Sequence, residues 1–130
     1  MREIYLIDRS DIDCFVTQKL LELWLDNVSV IGNLKTSDIL NRAKSGTLNN
    51  PIIMLDIDMP LTGVEFATHM AEFNSQFSIY ILSHYMDTDT AQKFCNCPLI
   101  KDYIVKPIDK MDVVKIANQN KLSLSKLIEI

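Results

Sequence analysis

The sequence predicts an α/β domain in which a five-stranded parallel sheet is covered by helices on both faces. Apolar runs of strand length recur five times, and stretches of helical periodicity separate them. Strands that alternate with helices indicate parallel pairing through right-handed crossovers, which leaves few ways to wind the chain. The 130 residues, 48% of them hydrophobic, suffice for one compact core and leave no room for a second folded domain.

The five predicted strands are short apolar runs rich in Ile, Val, Leu and Tyr. They cover residues 4–7, 28–31, 52–55, 79–82 and 100–105. Turn-forming or charged residues follow each run. We therefore expect five strands of ordinary length.

The first helix is predicted between the first two strands. One helical face is apolar, and polar or charged residues lie elsewhere, which indicates that this face packs on the sheet. Ser10 and Asp13, three residues apart, form a plausible capping pair at its start. The residues assigned to the apolar face are Ile12, Phe15, Val16, Leu20 and Leu23.

Weaker helical signals follow at about residues 37–44, 64–73, 88–94 and 110–118, each bounded by turn-forming residues. We assign residues 1–118 to one domain. Residues 119–130 alternate Leu and Ile with Ser and Lys, and they are predicted to form a mainly helical extension packed on that domain. Docking of the extension on a neighbour, or pairing of two chains through it, stays open.

Composition disfavours several classes of function. The formal net charge is −4 with a pI near 5.0, and Lys and Arg form no clustered run, so nucleic-acid binding is not expected. No apolar stretch reaches membrane-spanning length, and the first strand is followed by charges, so we expect a cytoplasmic protein without a membrane segment. Three cysteines at positions 14, 95 and 97 do not match a zinc-ligand pattern and are interpreted as reduced thiols.

Polar residues stand where the predicted strands end. Asp8, Asp56, Ser83 and Lys106 each directly follow an apolar run. Ligands of doubly wound sheets bind beyond the carboxyl ends of the strands, so these side chains are expected to meet at one edge. A carboxylate there can attack a phosphoryl group, while the ammonium, the hydroxyl and a cation held by acids can bind its oxygens.

Four segments resemble the signature segments of response-regulator receiver domains. They are Tyr-Leu-Ile-Asp at 5–8, Leu-Asp-Ile-Asp-Met-Pro at 55–60, Ile-Leu-Ser at 81–83 and Tyr-Ile-Val-Lys-Pro at 103–107. The Leu-Asp-x-x-Met-Pro run and the later Lys-Pro are fairly specific when they occur together at this spacing. The match spans about residues 2–118 and implies a flavodoxin-like sheet with strand order 2-1-3-4-5.

The resemblance also implies roles for the site residues. Asp56 would receive a phosphoryl group from a phosphohistidine of a sensor kinase or phosphotransfer protein, with Mg²⁺ held by Asp8, Asp56 and the backbone carbonyl of Asp58. Ser83 and Lys106 would bind the phosphate. These roles describe a single-domain response regulator rather than an enzyme of many turnovers.

The same resemblance implies a conformational switch. Ser83 and Tyr103 would be its moving residues, and the face formed by the fourth helix, the fifth strand and the fifth helix would contact a downstream protein. The charge that a phosphoryl group adds is the physical basis of such a change. A homodimer stays open.

Three residues depart from the family pattern. Arg9 stands where a second metal-binding acid is usual, His84 stands beside Ser83 in place of a small residue, and Gly63 follows Asp56 one residue sooner than is common. An inward Arg9 would attract Asp56 and weaken or replace Mg²⁺, whereas an outward Arg9 would only fail to bind the metal. Asp58 restores a third carboxylate if its side chain turns inward.

Two alternative functions stay open from the sequence. The first is a phosphorylation-independent pseudo-receiver in which an Arg9–Asp56 pair replaces metal and phosphate. The second is a phosphatase similar to the haloacid dehalogenase superfamily, with Asp56 and Asp58 as an Asp-x-Asp pair; that motif normally follows the first strand of the core. A flavin-binding version of the fold is weaker, because no phosphate-cradling run follows Asp8.

Overall fold

The computed structural model describes residues 1–58 and 63–129 of the chain. In chain order its strands are β1 (Arg2–Ile7), β2 (Leu25–Asp26), β3 (Val28–Ile31), β4 (Ile52–Asp56), β5 (Ser78–Ser83), β6 (Ile100–Val105) and β7 (Ser123–Leu124). The five longer strands form one parallel sheet in the order β3-β1-β4-β5-β6. Numbered among themselves, these strands have the predicted order 2-1-3-4-5, so the fold class is confirmed.

The five predicted helices are present. They are α1 (Asp11–Trp24), α2 (Thr36–Lys44), α3 (Gly63–Phe73), α4 (Thr88–Cys95) and α5 (Lys110–Asn120), and a short 3-10 helix follows at Lys126–Glu129. Helices α1, α4 and α5 begin where the side chains of Ser10, Asp87 and Asp109 accept backbone N–H groups. These bonds satisfy donors that a helix start leaves unpaired. The Met59-Pro60 part of the predicted motif lies outside the described residues.

The sheet separates two apolar cores because side chains alternate along each strand. In β1, Tyr5 and Ile7 face the core under α2, α3 and α4, whereas Ile4 and Leu6 face the core under α1 and α5. Each of these four side chains is at most 3% exposed. Strands that are buried on both faces have continuous apolar sequences, which explains why their positions could be predicted.

The predicted packing face of α1 is wrong. Its buried residues are Cys14, Thr17 and Leu21, while Ile12 and Phe15 are 76% and 61% exposed. Val16 and Leu23, also assigned to the predicted face, are exposed as well, and only Leu20 packs partly against the core. The helix approaches the main chain closely: a Cβ added to Gly32 would lie 2.9 Å from the Cys14 Sγ. A small residue therefore occupies the inward position beside Gly32, whereas the large apolar residues Ile12 and Phe15 lie on the exposed side.

The extension after α5 is helical only in part. Helix α5 ends at Lys121, whose φ of 57° is left-handed, and the chain then forms β7, which pairs antiparallel with β2. Ser125 donates hydrogen bonds to the Trp24 and Leu23 carbonyls at the end of α1. Three apolar residues of this segment pack on the core under α1 and α5, namely Leu122, Leu124 and Ile128.

A buried polar network ties α5 to the sheet. The Ser78 hydroxyl donates to Asn120 Oδ1 at 2.6 Å, and Asn120 Nδ2 donates to the Tyr80 hydroxyl at 2.9 Å. Burial raises the pKa of Tyr80 to about 12, so it stays a neutral donor toward Gln119. In the described part of the chain, no helix has both the length and the apolar character needed to cross a bilayer.

Candidate functional site

Four predicted site residues lie at the carboxyl edge of the sheet. Asp56 and Ser83 are the last residues of β4 and β5, and Asp8 and Lys106 directly follow β1 and β6. All four are buried, between 3% and 7% exposed. The parallel register places these ends side by side, as the sequence predicts.

The Lys106 ammonium is the centre of the site. Its Nζ lies 2.9 Å from Asp8 Oδ2, 3.0 Å from Asp13 Oδ2 and 3.8 Å from Asp56 Oδ1, and its side chain is 4% exposed. Burial lowers the pKa of Lys106, but hydrogen bonds to Asp8 and Asp13 and the nearby Asp56 charge outweigh it, so the pKa is raised overall. Lys106 is therefore held as a cation among carboxylates.

Asp13 is a site residue that the sequence reasoning treated only as a helix cap. Its backbone N–H does donate to Ser10 Oγ, which leaves the carboxylate free to turn over the end of the sheet toward Lys106. Burial raises the pKa of Asp13, yet the hydrogen bonds from Lys106 and His84 lower it below its ordinary value. The spacing is the only sequence signal: Asp13 lies in the first turn of the helix that follows Asp8.

Asp56 is oriented by its own loop. Its Oδ1 accepts the Asp58 backbone N–H at 3.2 Å and faces Lys106, while its Oδ2 faces Arg9. Burial raises the pKa of Asp56, and the neighbouring Asp8 carboxylate raises it further, against the lowering effects of the Asp58 N–H and Lys106. A buried carboxylate with a raised pKa is a common feature of functional sites.

Arg9 points toward Asp56, one of the two directions that the sequence left open. Its Nε lies 3.9 Å from Asp56 Oδ2, and its terminal nitrogen donates to Asp58 Oδ2 at 3.0 Å. The Asp58 side chain is 55% exposed in this ion pair. Asp58 therefore pairs with Arg9, rather than forming the inward third carboxylate that would compensate for it.

The donor set tests whether Mg²⁺ fits here. Mg²⁺ prefers near-octahedral oxygen ligands. Asp8 and Asp56 offer two carboxylates, and the carboxylate of Asp13 is already bonded to Lys106 and His84. However, the Lys106 ammonium contacts the first and faces the second, and the Arg9 guanidinium faces the other oxygen of Asp56. Within residues 1–58 and 63–129, no three His, Cys, Asp or Glu side chains are grouped as metal ligands. As placed, these side chains do not fit the ion.

His84 also has a defined contact. Its Nε2 lies 2.6 Å from Asp13 Oδ2, the oxygen that also binds Lys106, and its side chain is about half exposed. This bond connects the loop after β5 to the start of α1.

Gly63, which follows Asp56 one residue sooner than is common in receiver domains, is the first residue of α3. A Cβ added there would lie 2.5 Å from Ile81 Cδ1.

The two predicted switch residues meet at the backbone of Tyr85. The Ser83 hydroxyl oxygen accepts the Tyr85 N–H at 3.1 Å, and the Tyr103 hydroxyl donates to the Tyr85 carbonyl at 2.7 Å. Tyr103 is 6% exposed, and its ring stacks on Phe94 at a centroid distance of 6.1 Å. Ser83 and Tyr103 are thus joined through one residue of the loop after β5.

Comparison with known proteins identifies the fold. No family model matches the sequence, and no curated protein matches it. A response regulator receiver protein from Dyadobacter fermentans has a similar structure with a TM-score of 0.78 and 19% identity, covering 92% of this chain and 97% of its own. A two-component response regulator from Clostridium difficile is similar with a TM-score of 0.72 and 15% identity, covering 93% of this chain and 97% of its own.

A receiver domain from Clostridium thermocellum is also similar, with a TM-score of 0.68 and 19% identity over 93% of this chain and 98% of its own. Identities this low establish a shared architecture rather than a shared activity. The chain has the fold of response-regulator receiver domains.

Proposed function

From this receiver fold, we propose that the chain is a signalling switch that accepts a phosphoryl group on Asp56. The observation that carries the proposal is the position of Asp56: a buried carboxylate at the carboxyl edge of the sheet, with Lys106 3.8 Å from one oxygen. A nucleophile and a cation at such a distance suit phosphoryl transfer, which depends on positioning and charge stabilisation.

In the proposed reaction, an Asp56 oxygen attacks the phosphorus of a phosphohistidine on a sensor kinase or phosphotransfer protein. The new O–P bond forms as the P–N bond breaks, and the imidazole leaves with the electron pair and takes up a proton. Lys106 binds a phosphoryl oxygen. The Ser83 hydroxyl, whose oxygen accepts the Tyr85 N–H, still has its own proton to donate to another.

The added charge is the basis of signalling in this proposal. A phosphoryl group brings about −1.5 to −2 charge and three acceptor oxygens, which attract Ser83 and the loop after β5. Because Tyr85 binds both Ser83 and Tyr103, a shift of that loop reaches the Tyr103 ring. The face of α4, β6 and α5, with Met111 exposed on α5, would then contact a downstream protein in the cytoplasm.

A second candidate is the phosphorylation-independent module. The observation that favours it is the Arg9 guanidinium, 3.0 Å from Asp58 and 3.9 Å from Asp56, which provides positive charge without any ligand. The phosphatase alternative is not favoured. It needs Asp58 as an acid beside Asp56, and the Asp58 carboxylate instead pairs with Arg9 at the surface.

Acetyl phosphate labelling tests the proposal. The chain is incubated with acetyl phosphate, with and without Mg²⁺, and its intact mass is measured. An increase of about 80 Da, the mass of one phosphoryl group, is expected in wild type and is expected to be lost in Asp56→Asn. Asp26→Asn, exposed on β2, is the matched control and should keep the adduct. Absence of labelling in wild type under both conditions, and with a phosphohistidine donor, would leave the second candidate.

A further inference from the structure

We propose that Arg9 takes the place of the divalent cation, so that its guanidinium and the Lys106 ammonium bind the phosphoryl oxygens on Asp56 and the acyl phosphate forms without a bound metal. This inference rests on the proposed function and names the groups that recognise the phosphoryl group. The side chains around Asp56 do not fit a Mg²⁺ ion, because Lys106 and Arg9 lie where the ion would be bound.

Two cations face the two oxygens of Asp56. Lys106 Nζ lies 3.8 Å from Oδ1, and Arg9 Nε lies 3.9 Å from Oδ2. Both separations exceed the length of a hydrogen bond, so neither cation is bonded directly to this carboxylate. A group attached to an Asp56 oxygen carries its own oxygens beyond the carboxylate, which can bring them within hydrogen-bond reach of each donor.

Arg9 is available for this task. Among the described residues, its guanidinium donates one hydrogen bond, to Asp58, and the side chain is 66% exposed. An ion pair between two exposed side chains contributes little to stability, so a stronger acceptor can displace it. Arg is always charged, and its planar set of N–H donors matches two phosphate oxygens at once.

Lys106 alone is less free to act. Its ammonium is buried and already bonded to Asp8 and Asp13. Moving it fully to a phosphoryl oxygen would leave the buried Asp8 carboxylate without its ammonium partner. A second cation from the exposed side of the site is therefore needed, and Arg9 has the position for it.

Charge balance supports the same assignment. The site contains the carboxylates Asp8, Asp13, Asp56 and Asp58 and the cations Arg9 and Lys106, and a phosphoryl group adds further negative charge. An arginine supplies a fixed positive charge at all accessible pH values. Replacing it by aspartate removes that charge and adds a carboxylate beside Asp8 and Asp56, which favours a requirement for Mg²⁺.

With acetyl phosphate as donor, the reaction needs no other reactant. An Asp56 oxygen attacks phosphorus, the new O–P bond forms, and the P–O bond to acetate breaks. Acetate leaves with the electron pair, so no proton or electron has to be supplied. Arg9 and Lys106 donate hydrogen bonds to the non-bridging oxygens as their charge increases.

The experiment measures initial labelling rates with acetyl phosphate by intact mass, in metal-free buffer with EDTA and in Mg²⁺. Because Arg9 takes the cation's place in this proposal, wild type is expected to react in EDTA within about twofold of its rate in Mg²⁺. The rate of Arg9→Gln in EDTA should fall by about 100-fold, which is the usual cost of removing one charge-stabilising donor. Arg9→Asp should react only with Mg²⁺. Arg42→Gln, on α2, is the matched control and should behave as wild type.

Circular dichroism of every variant checks that it folds, and Arg9→Lys provides a second, charge-preserving substitution expected to retain part of the EDTA rate. Labelling of wild type only in Mg²⁺ would overturn this inference and keep the proposed function. An Arg9→Gln rate equal to wild type in EDTA would also overturn it. No labelling of wild type under any condition would refute the proposed function itself.

Discussion

Replacing Lys106 by Met tests whether the site is held together by charge. The ammonium lies 2.9 Å and 3.0 Å from Asp8 and Asp13 and 3.8 Å from Asp56. At an effective dielectric of 20 these separations correspond to attractions of about 6, about 6 and about 4 kcal/mol, before the cost of burying the charges is subtracted. That cost is large, because the Lys106, Asp8 and Asp56 side chains are at most 4% exposed.

The expected net effect is a loss of about 3–5 kcal/mol in the free energy of unfolding, since the substitution leaves buried carboxylates without their partner. With a urea m-value of about 2 kcal/mol/M, the unfolding midpoint at pH 7 should fall by about 2 M. Urea titration followed by Trp24 fluorescence measures it, with Lys101→Met as the matched control because Lys101 is exposed on the same strand, β6. The control should change stability by less than about 0.5 kcal/mol.

A second substitution separates charge from packing. Asp8→Asn in the Lys106→Met background removes one of the unpaired carboxylates and should recover at least about 1 kcal/mol, which a double-mutant cycle measures directly. The reasoning is refuted if Lys106→Met unfolds within 1 kcal/mol of wild type, or if Asp8→Asn lowers its stability further. Either result would mean that the carboxylates do not depend on the ammonium.

Three further outcomes are expected. Gly63→Ala should lose about 1–3 kcal/mol in urea titration, because its Cβ would lie 2.5 Å from Ile81 Cδ1; a more stable variant would contradict the contact. Asn120→Ala should lose about 1–3 kcal/mol by leaving the buried Tyr80 hydroxyl network incomplete, and calorimetry should show the lower Tm. Asp13 has a pKa lowered from its ordinary value of 3.8, so the stability it provides is complete above that pH and is lost as pH falls through the lowered pKa. In Asp13→Asn, the urea midpoint of unfolding should therefore change less with pH below about pH 4. An unchanged pH dependence in that range would argue against the pairing of Asp13 with Lys106 and His84.

The strands and their order were predictable because both faces of the sheet are buried, so composition alone marks them. The packing face of α1 was not predictable from the size of apolar residues. Close approach to Gly32 requires Cys14 inside, while the larger Phe15 lies outside. The antiparallel pair formed by β2 and β7 was also not predicted, because strands of two residues have no detectable periodicity.

The edge of the sheet that carries the site was predictable, but the partners within it were not. Asp13 and Lys106 lie 93 residues apart, and an acid in a first helical turn is ordinarily a cap or a dipole partner. The direction of Arg9 depends on Asp58, which follows a different strand. The roles implied for Asp56, Ser83, Lys106 and Tyr103 remain predictions that the labelling experiments address.

The loop after β5 connects Ser83 to Tyr103 through main-chain atoms only. The Tyr85 N–H and carbonyl form these two bonds, and the Tyr85 side chain, 77% exposed, forms neither. Alanine scanning of this loop would therefore leave the connection intact and suggest that residue 85 is dispensable. A proline at this position would remove the N–H and so cut the bond to Ser83. The hydrogen-bonded connection between the sheet edge and the aromatic ring therefore does not depend on the side chain of residue 85.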